Sequence, residues 1–129
     1  MGNERGLPYV PPPFTCSADW VGEKSAVLTI SGELDLHTAQ GCRGVLDGLD
    51  ERGIDYHLVV DLSDCTFMDS TGLGLLVTAQ RRASSRINVV AADHAVRHTM
   101  MVSGLDQLFV YHDNRVAALR ALWEQFGDL

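Results

Sequence analysis

An α/β domain, with about four helices packed on a mixed β-sheet of about four or five strands, is what this sequence of 129 residues predicts. Three observations point there. The length is that of one domain, enough for a sizeable core and too short for two. Apolar runs of strand length alternate with segments whose apolar residues recur at helical spacing, which is the pattern of helices docked on a sheet. The first two strands are joined by a tight turn, so the sheet opens with an antiparallel pair and is mixed.

Taken in order, residues 1–13 read as a flexible leader. Pro8 and the run Pro11-Pro12-Pro13 forbid helix and impose polyproline-like extension. A polyproline ligand is the other meaning of such composition, and a disordered leader is the commoner one. The domain then spans residues 14–129. Phe14–Trp20 alternates as an edge strand, and Gly22-Glu23-Lys24 turns into the strand Ala26–Ile30. Thr38–Leu49 places Ala39, Cys42, Leu46 and Leu49 at helical spacing. Gly41, Gly44 and Gly48 weaken that helix, each by up to about 1 kcal/mol relative to alanine, so it must lean on packing. His57–Leu62 is a continuous apolar run and reads as the central, buried strand.

After the turn that follows it, a helix presents Leu73, Leu76, Val77 and Gln80 along one stripe and ends near Ser84-Ser85. Ile87–Ala91 is the next strand. His94–Val102 follows as a short helix with Val96, Met100 and Met101 inward, stopped by Gly104. Leu108–Tyr111 is the last strand. Asp113 or Asn114 then caps a final helix whose apolar face is Val116, Leu119, Trp123 and Phe126.

Composition excludes several classes of function. A formal net charge of -7 argues against nucleic acid, whose phosphates are held by clustered Lys and Arg. The one basic group, Arg81-Arg82 with Arg86, reads as a solvated helix end. An acidic surface favours a protein partner carrying basic patches. Cys16, Cys42 and Cys65 are an odd number without a CxxC pair, which makes a disulfide framework or structural zinc site improbable. No stretch approaches the roughly 20 apolar residues that cross a bilayer, and the N-terminus lacks a signal peptide's apolar core. A cytoplasmic protein, monomeric or weakly dimeric, without membrane, metal or cofactor, is expected.

The chemistry concentrates in Phe67-Met68-Asp69-Ser70-Thr71-Gly72-Leu73-Gly74, directly after the central strand. A strand feeds a turn and then a helix, leaving Ser70 or Thr71 at a helix N-terminus, where N–H groups lack intrahelical partners and the dipole favours negative charge. Such a hydroxyl can be a helix cap, a nucleophile or a phosphate acceptor. The glycines do not make a P-loop, because Leu75 and Leu76 stand where a lysine and hydroxyl are needed. Asp69-Ser70-Thr71-Gly72 matches the aspartic-protease loop only superficially, with one residue too many and no second loop. Nor is there a Gly-x-Ser-x-Gly elbow around Ser70. His94 and His98 lie four apart but lack the glutamate and third ligand of a zinc-hydrolase helix.

Three segments in order resemble one family. Phe67-Met68-Asp69-Ser70-Thr71-Gly72-Leu73-Gly74 is similar to the signature of anti-sigma factor antagonists built on the STAS domain. Ser31-Gly32-Glu33-Leu34-Asp35-Leu36-His37-Thr38-Ala39 is similar to the Gly-Glu-Leu-Asp segment before that family's first helix. Ser103-Gly104-Leu105-Asp106-Gln107-Leu108-Phe109 is similar to its Gly-Leu-Asp turn. The resemblance covers roughly residues 14–127. It implies a binding module and not an enzyme. Unphosphorylated, the protein would bind an anti-sigma factor of the serine-kinase type and release a sigma factor; the alternative is a STAS scaffold or ligand-sensing module that is not phosphorylated. Ser70, the first hydroxyl after the aspartate, would be the residue phosphorylated by the kinase and restored by a PP2C-type phosphatase. Asp35, Asp69, Ser70, Thr71, Gly72, Leu73 and Gly74 would form the partner-binding surface. Asp35 and Asp69 also have plain structural readings, as a turn residue and a helix cap.

Overall fold

The computed structural model describes Gly6 and residues 8–129. The leader expected over residues 1–13 therefore lies partly, at 1–5 and 7, outside the described residues. In chain order the elements are β1 (Thr15–Trp20), β2 (Ser25–Leu34), α1 (Ala39–Asp50), β3 (His57–Leu62), β4 (Cys65–Met68), α2 (Ser70–Arg82), β5 (Asn88–Ala91), α3 (His94–Val102), β6 (Val110–His112) and α4 (Arg115–Phe126). A single 3-10 turn, Leu105–Gln107, joins α3 to β6. Five strands lie in the order β1-β2-β3-β5-β6, with β1 antiparallel to β2 and the others parallel.

The sixth strand, β4, is the element the sequence pattern does not announce. β2 is ten residues long because it serves two neighbours in succession. Ser25–Thr29 pair with β3, and Gly32–Leu34 pair with β4, the register shifting by one residue between Gly32 and Glu33. The chain gets from β3 to β4 through a turn in which Asp61 accepts the N–H of Ser63 at 2.9 Å and the carbonyl of Asp64 accepts from Gly32 at 3.0 Å. Gly32 has φ +89°, and a Cβ there would sit 2.9 Å from the carbonyl oxygen of Pro13, so the crossing of the leader requires glycine.

Both faces of the sheet are covered, as the apolar run of β3 requires. On one face Leu28, Ile30, Leu58, Val60, Leu62 and Val89 pack beneath α1, α2 and α3. On the other, Val27, Val59 and Val90 pack against Ala118 and Leu122 of α4. Each buried aliphatic side chain contributes about 1.5–3 kcal/mol of transfer free energy, which offsets the poor intrinsic helicity of α1. The helix buries Ala39, Cys42, Leu46 and Leu49 while Gly41, Gly44 and Gly48 face solvent.

Three helix faces differ from the sequence reading. α4 turns Ala118 and Leu122 inward, packs the expected Leu119 and Phe126 partly buried beside them, and leaves Val116 and Trp123 exposed. α2 buries Leu75, Leu76 and Ala79, with Leu73 and Val77 half-buried at the margin. In α3 Val96 and Met100 point inward but Met101 is exposed. Gly104, at φ +80°, ends α3 as expected, its N–H bonded to Met101 at 3.1 Å. Of the basic trio, Arg81 is exposed as expected, while Arg82 and Arg86 have structural partners. Arg82 ties α2 to α1 through Asp47 and Asp50, at 2.7 and 2.8 Å, and Arg86 donates to the carbonyls of Gln107 and Phe109, both at 3.1 Å. No helix among the described residues is long and apolar enough to cross a membrane.

Candidate functional site

The parallel pair β2–β4 delivers two loops to the same edge of the sheet. The N–H of Asp69 donates to the carbonyl of Leu34 at 3.3 Å, so the turn after β4 and the loop after β2 abut. Asp35 and Ser70 are the residues that follow directly on each side.

Asp69 is the N-cap of α2. With extended backbone at φ -105°, ψ -170°, its Oδ1 accepts from the N–H groups of Thr71 at 2.9 Å and Gly72 at 3.1 Å. Its own carbonyl accepts from Leu73 at 3.1 Å and starts the helical ladder. This is the arrangement that satisfies donors otherwise orphaned at a helix start. The capping role left open between Ser70 and Asp69 therefore belongs to Asp69. Ser70 occupies the first helical position and is exposed, whereas Thr71 is half-buried.

Gly72 is buried where the helix meets β2. A Cβ there would come within 2.7 Å of Met68 Cγ and 3.0 Å of both Leu34 Cγ and the Leu34 carbonyl oxygen. Gly72 thus permits a close approach inside the domain. Gly74 is different: it is exposed, with open space around its Cα. Leu73 lies half-buried between them.

Asp35 organises the entry into α1. Its Oδ1 accepts from the N–H groups of His37 at 2.9 Å and Thr38 at 3.2 Å, and its carbonyl accepts from Ala39 at 2.9 Å. The Thr38 hydroxyl accepts from the Asp35 N–H at 2.9 Å and donates to the Glu33 carbonyl at 2.8 Å. Asp35 is half-buried, so it has a structural task at the rim of the same edge. Around the two loops stand exposed apolar side chains that the sequence reading did not single out, Leu36 at 70% and Phe67 at 45% exposure. Phe67 lies opposite Glu33 in the β2–β4 register. The signal for it was present in the motif, but without β4 there was no way to tell which way the ring points.

The remaining reactive side chains lie elsewhere. Among the described residues no group of His, Cys, Asp and Glu could hold a metal ion. His94 and His98 are exposed on α3. Cys16, Cys42 and Cys65 are free thiols. Hydrogen bonding to Cys16, reinforced by burial, pushes the Cys42 thiol well above its ordinary range, so it stays protonated. A cavity of about 470 Å³ opens between α3 and α4, lined by Arg97, Met100, Tyr111 and His112 among others; Asp35, Asp69 and Ser70 take no part in it.

A strand–turn–helix edge of this kind, on a mixed sheet with three helices beneath and one above, is shared with known proteins. The family described as "Mlab, STAS domain" matches residues 18–111. The anti-sigma F factor antagonist of Paenibacillus polymyxa is 31% identical over 99 residues, covering 74% of this chain and 85% of that one. An anti-sigma factor antagonist from Mycobacterium paratuberculosis superposes with a TM-score of 0.74 at 27% identity, over 84% of this chain and 93% of its own. SpoIIAA in its unphosphorylated form has the same fold, with a TM-score of 0.70 at 22% identity over 91% and 99% of the two chains. Its phosphorylated form, from Bacillus, gives 0.62 at 22% identity over 84% and 99%. The chain belongs to the STAS domain family of anti-sigma factor antagonists.

Proposed function

We propose that this protein is a phosphorylation-controlled anti-sigma factor antagonist acting in the cytoplasm, a binding module and not an enzyme. Unphosphorylated, it binds an anti-sigma factor of the serine-kinase type, which then releases its sigma factor and so allows transcription. The kinase transfers the γ-phosphoryl group of ATP to Ser70 Oγ, the hydroxyl proton leaves, and the complex comes apart. A PP2C-type phosphatase hydrolyses the phosphoserine and resets the switch. Asp35, Asp69, Ser70, Thr71, Gly72, Leu73 and Gly74 belong to the docking surface.

One observation carries this reading. Ser70 is an exposed hydroxyl at the first position of a helix whose cap is a different residue. A kinase needs a hydroxyl free of structural duty, and Asp69 relieves Ser70 of the cap. Thr71 has the same chemistry, but it is half-buried and its branched side chain is stiffer.

Intact-mass measurement after incubation with purified serine-kinase anti-sigma factors and ATP, followed by phosphopeptide mapping, tests the reading. One added phosphoryl group on Ser70 is expected. Modification of Thr71 instead would overturn the assignment of the acceptor. No added mass with any such kinase would overturn the switch and leave the unphosphorylated scaffold or ligand-sensing module in its place.

A further inference from the structure

Residues 8–13 have no regular secondary structure, yet they follow a defined course across the edge that carries the site. The Pro13 carbonyl rests on Gly32, and the Tyr9 hydroxyl donates to Glu33 Oε2 at 2.9 Å. Glu33 lies two residues before Asp35 and is the register partner of Phe67, which lies three before Ser70. Strand alternation puts Glu33 and Phe67 on one face, since their neighbours Leu34 and Met68 both point into the core. The leader therefore brings Tyr9 to the same face as Phe67, beside the two loops of the candidate site.

What the leader presents there is apolar and exposed. Tyr9 is 64% and Val10 78% exposed, as Leu36, just past the end of β2, and Phe67 of β4 also are, at 70% and 45%. The hydrogen bond that holds Tyr9 leaves its ring facing water, so the contact does little for the fold. A tyrosine held in the open on the face that carries the exposed Phe67, with an exposed valine following it in the chain, forms a surface that gains by being covered. The carboxylates of Glu33, Asp35 and Asp69 border it, which suits an apolar partner patch ringed by basic groups. Pro11, Pro12 and Pro13 restrict the segment in advance, so little ordering entropy is lost on binding.

We propose that residues 8–13 are part of the surface that docks the anti-sigma factor, with Tyr9 and Val10 completing an apolar rim begun by Leu36 and Phe67. This rests on the antagonist reading above and adds to it a recognition element outside the three family-like segments. The Ser70 turn supplies the switch, and the leader supplies affinity and selectivity among related kinases.

The test uses the full chain and the anti-sigma kinase that phosphorylates Ser70 in the preceding experiment. Calorimetric titration compares wild type with the double substitution Tyr9→Ala, Val10→Ala, and with Val116→Ala as an exposed apolar control on α4. The leader variant should bind about tenfold more weakly, as loss of an aromatic anchor does. Its KM for phosphorylation should rise in proportion while kcat and melting temperature stay at wild-type values. The control should bind as wild type does. Unchanged affinity and KM in the leader variant, beside a wild type that binds and is phosphorylated, would overturn this inference alone. A fall in melting temperature matching the loss of affinity would overturn it too, in favour of a structural role. A wild type that neither binds nor is phosphorylated by any such kinase would overturn both readings together.

Discussion

Replacing Asp69 and Ser70 separately distinguishes the cap of α2 from its candidate phosphoacceptor. In Asp69→Ala the N–H groups of Thr71 and Gly72 lose an acceptor at 2.9 and 3.1 Å. Loss of an N-cap costs about 0.5–2 kcal/mol, and a charged acceptor serving two donors belongs in the upper half of that range. For a domain between the 60–100 and 150–250 residue classes each kcal/mol moves the melting temperature by roughly 3–5 °C, so a fall of about 4–10 °C is expected. Asp69→Asn keeps a good capping oxygen and should stay close to wild type. Ser70→Ala removes an exposed hydroxyl with no capping role and puts the best helix former at the first position, so it should lie within about 0.5 kcal/mol of wild type. Thermal melts followed by circular dichroism, with urea midpoints at constant m, measure all three. A Ser70→Ala variant as unstable as Asp69→Ala would refute the division of labour between these neighbours.

Asp35→Ala should cost about 0.5–2 kcal/mol in urea unfolding, because its carboxylate caps the entry to α1, and a free surface residue would cost less. Gly72→Ala should destabilise by about 1–3 kcal/mol through overpacking against Leu34 and Met68, while Gly74→Ala should be neutral or stabilising by the same assay. Asp61 is buried, which pushes its carboxyl up, but hydrogen bonds from Ser63 and Arg115 outweigh this and hold it below its ordinary value. Its contribution to stability is therefore present above about pH 4 and is lost as pH falls through the folded value. Arg115→Ala should cost about 1.5–3 kcal/mol at pH 7, and the gap from wild type should close on acidification. Ser70→Asp should stay folded yet bind the anti-sigma factor less well than Ser70→Ala, and equal affinities by calorimetry would count against control at this residue.

The sequence patterns that carried the fold were those in which one periodicity dominated. β3 reads as a strand because five of its residues are buried, and α1 because its four core residues recur at helical spacing in spite of three glycines. β4 was illegible for the opposite reason. Only Cys65 and Met68 at its ends are buried, Thr66 and Phe67 are exposed, and its pairing with β2 depends on a register shift. On α4 the apolar face read from Val116, Leu119, Trp123 and Phe126 is rotated, so that Ala118 and Leu122 lie at its centre, Leu119 and Phe126 at its margin, and Val116 and Trp123 outside it. At the site, the motif located Ser70, but the division between cap and free hydroxyl depends on which oxygen reaches the Thr71 and Gly72 N–H groups. Asp35 was open between surface and turn in the sequence, and its carboxylate is seen to accept from the N–H groups two and three residues on, the local bonding of a turn residue.

The same geometry bears on how phosphate at Ser70 would act. A bare helix N-terminus accommodates a phosphoryl group by giving it free N–H donors. Here Asp69 has already taken the N–H groups of Thr71 and Gly72, so a phosphate on Ser70 competes with a carboxylate for the same donors. Its charge, about -1.5 to -2, is added beside that carboxylate and at the rim shared with Asp35. The helix has its cap with or without the modification, which argues against control by unfolding. The added charge instead stays at the exposed surface, where covering it with a partner costs desolvation free energy that only well-placed cationic groups could return. A docking face built from exposed apolar side chains beside Ser70, as proposed above, would therefore be sensitive to a single phosphoryl group, and the sensitivity would come from Asp69 already being there.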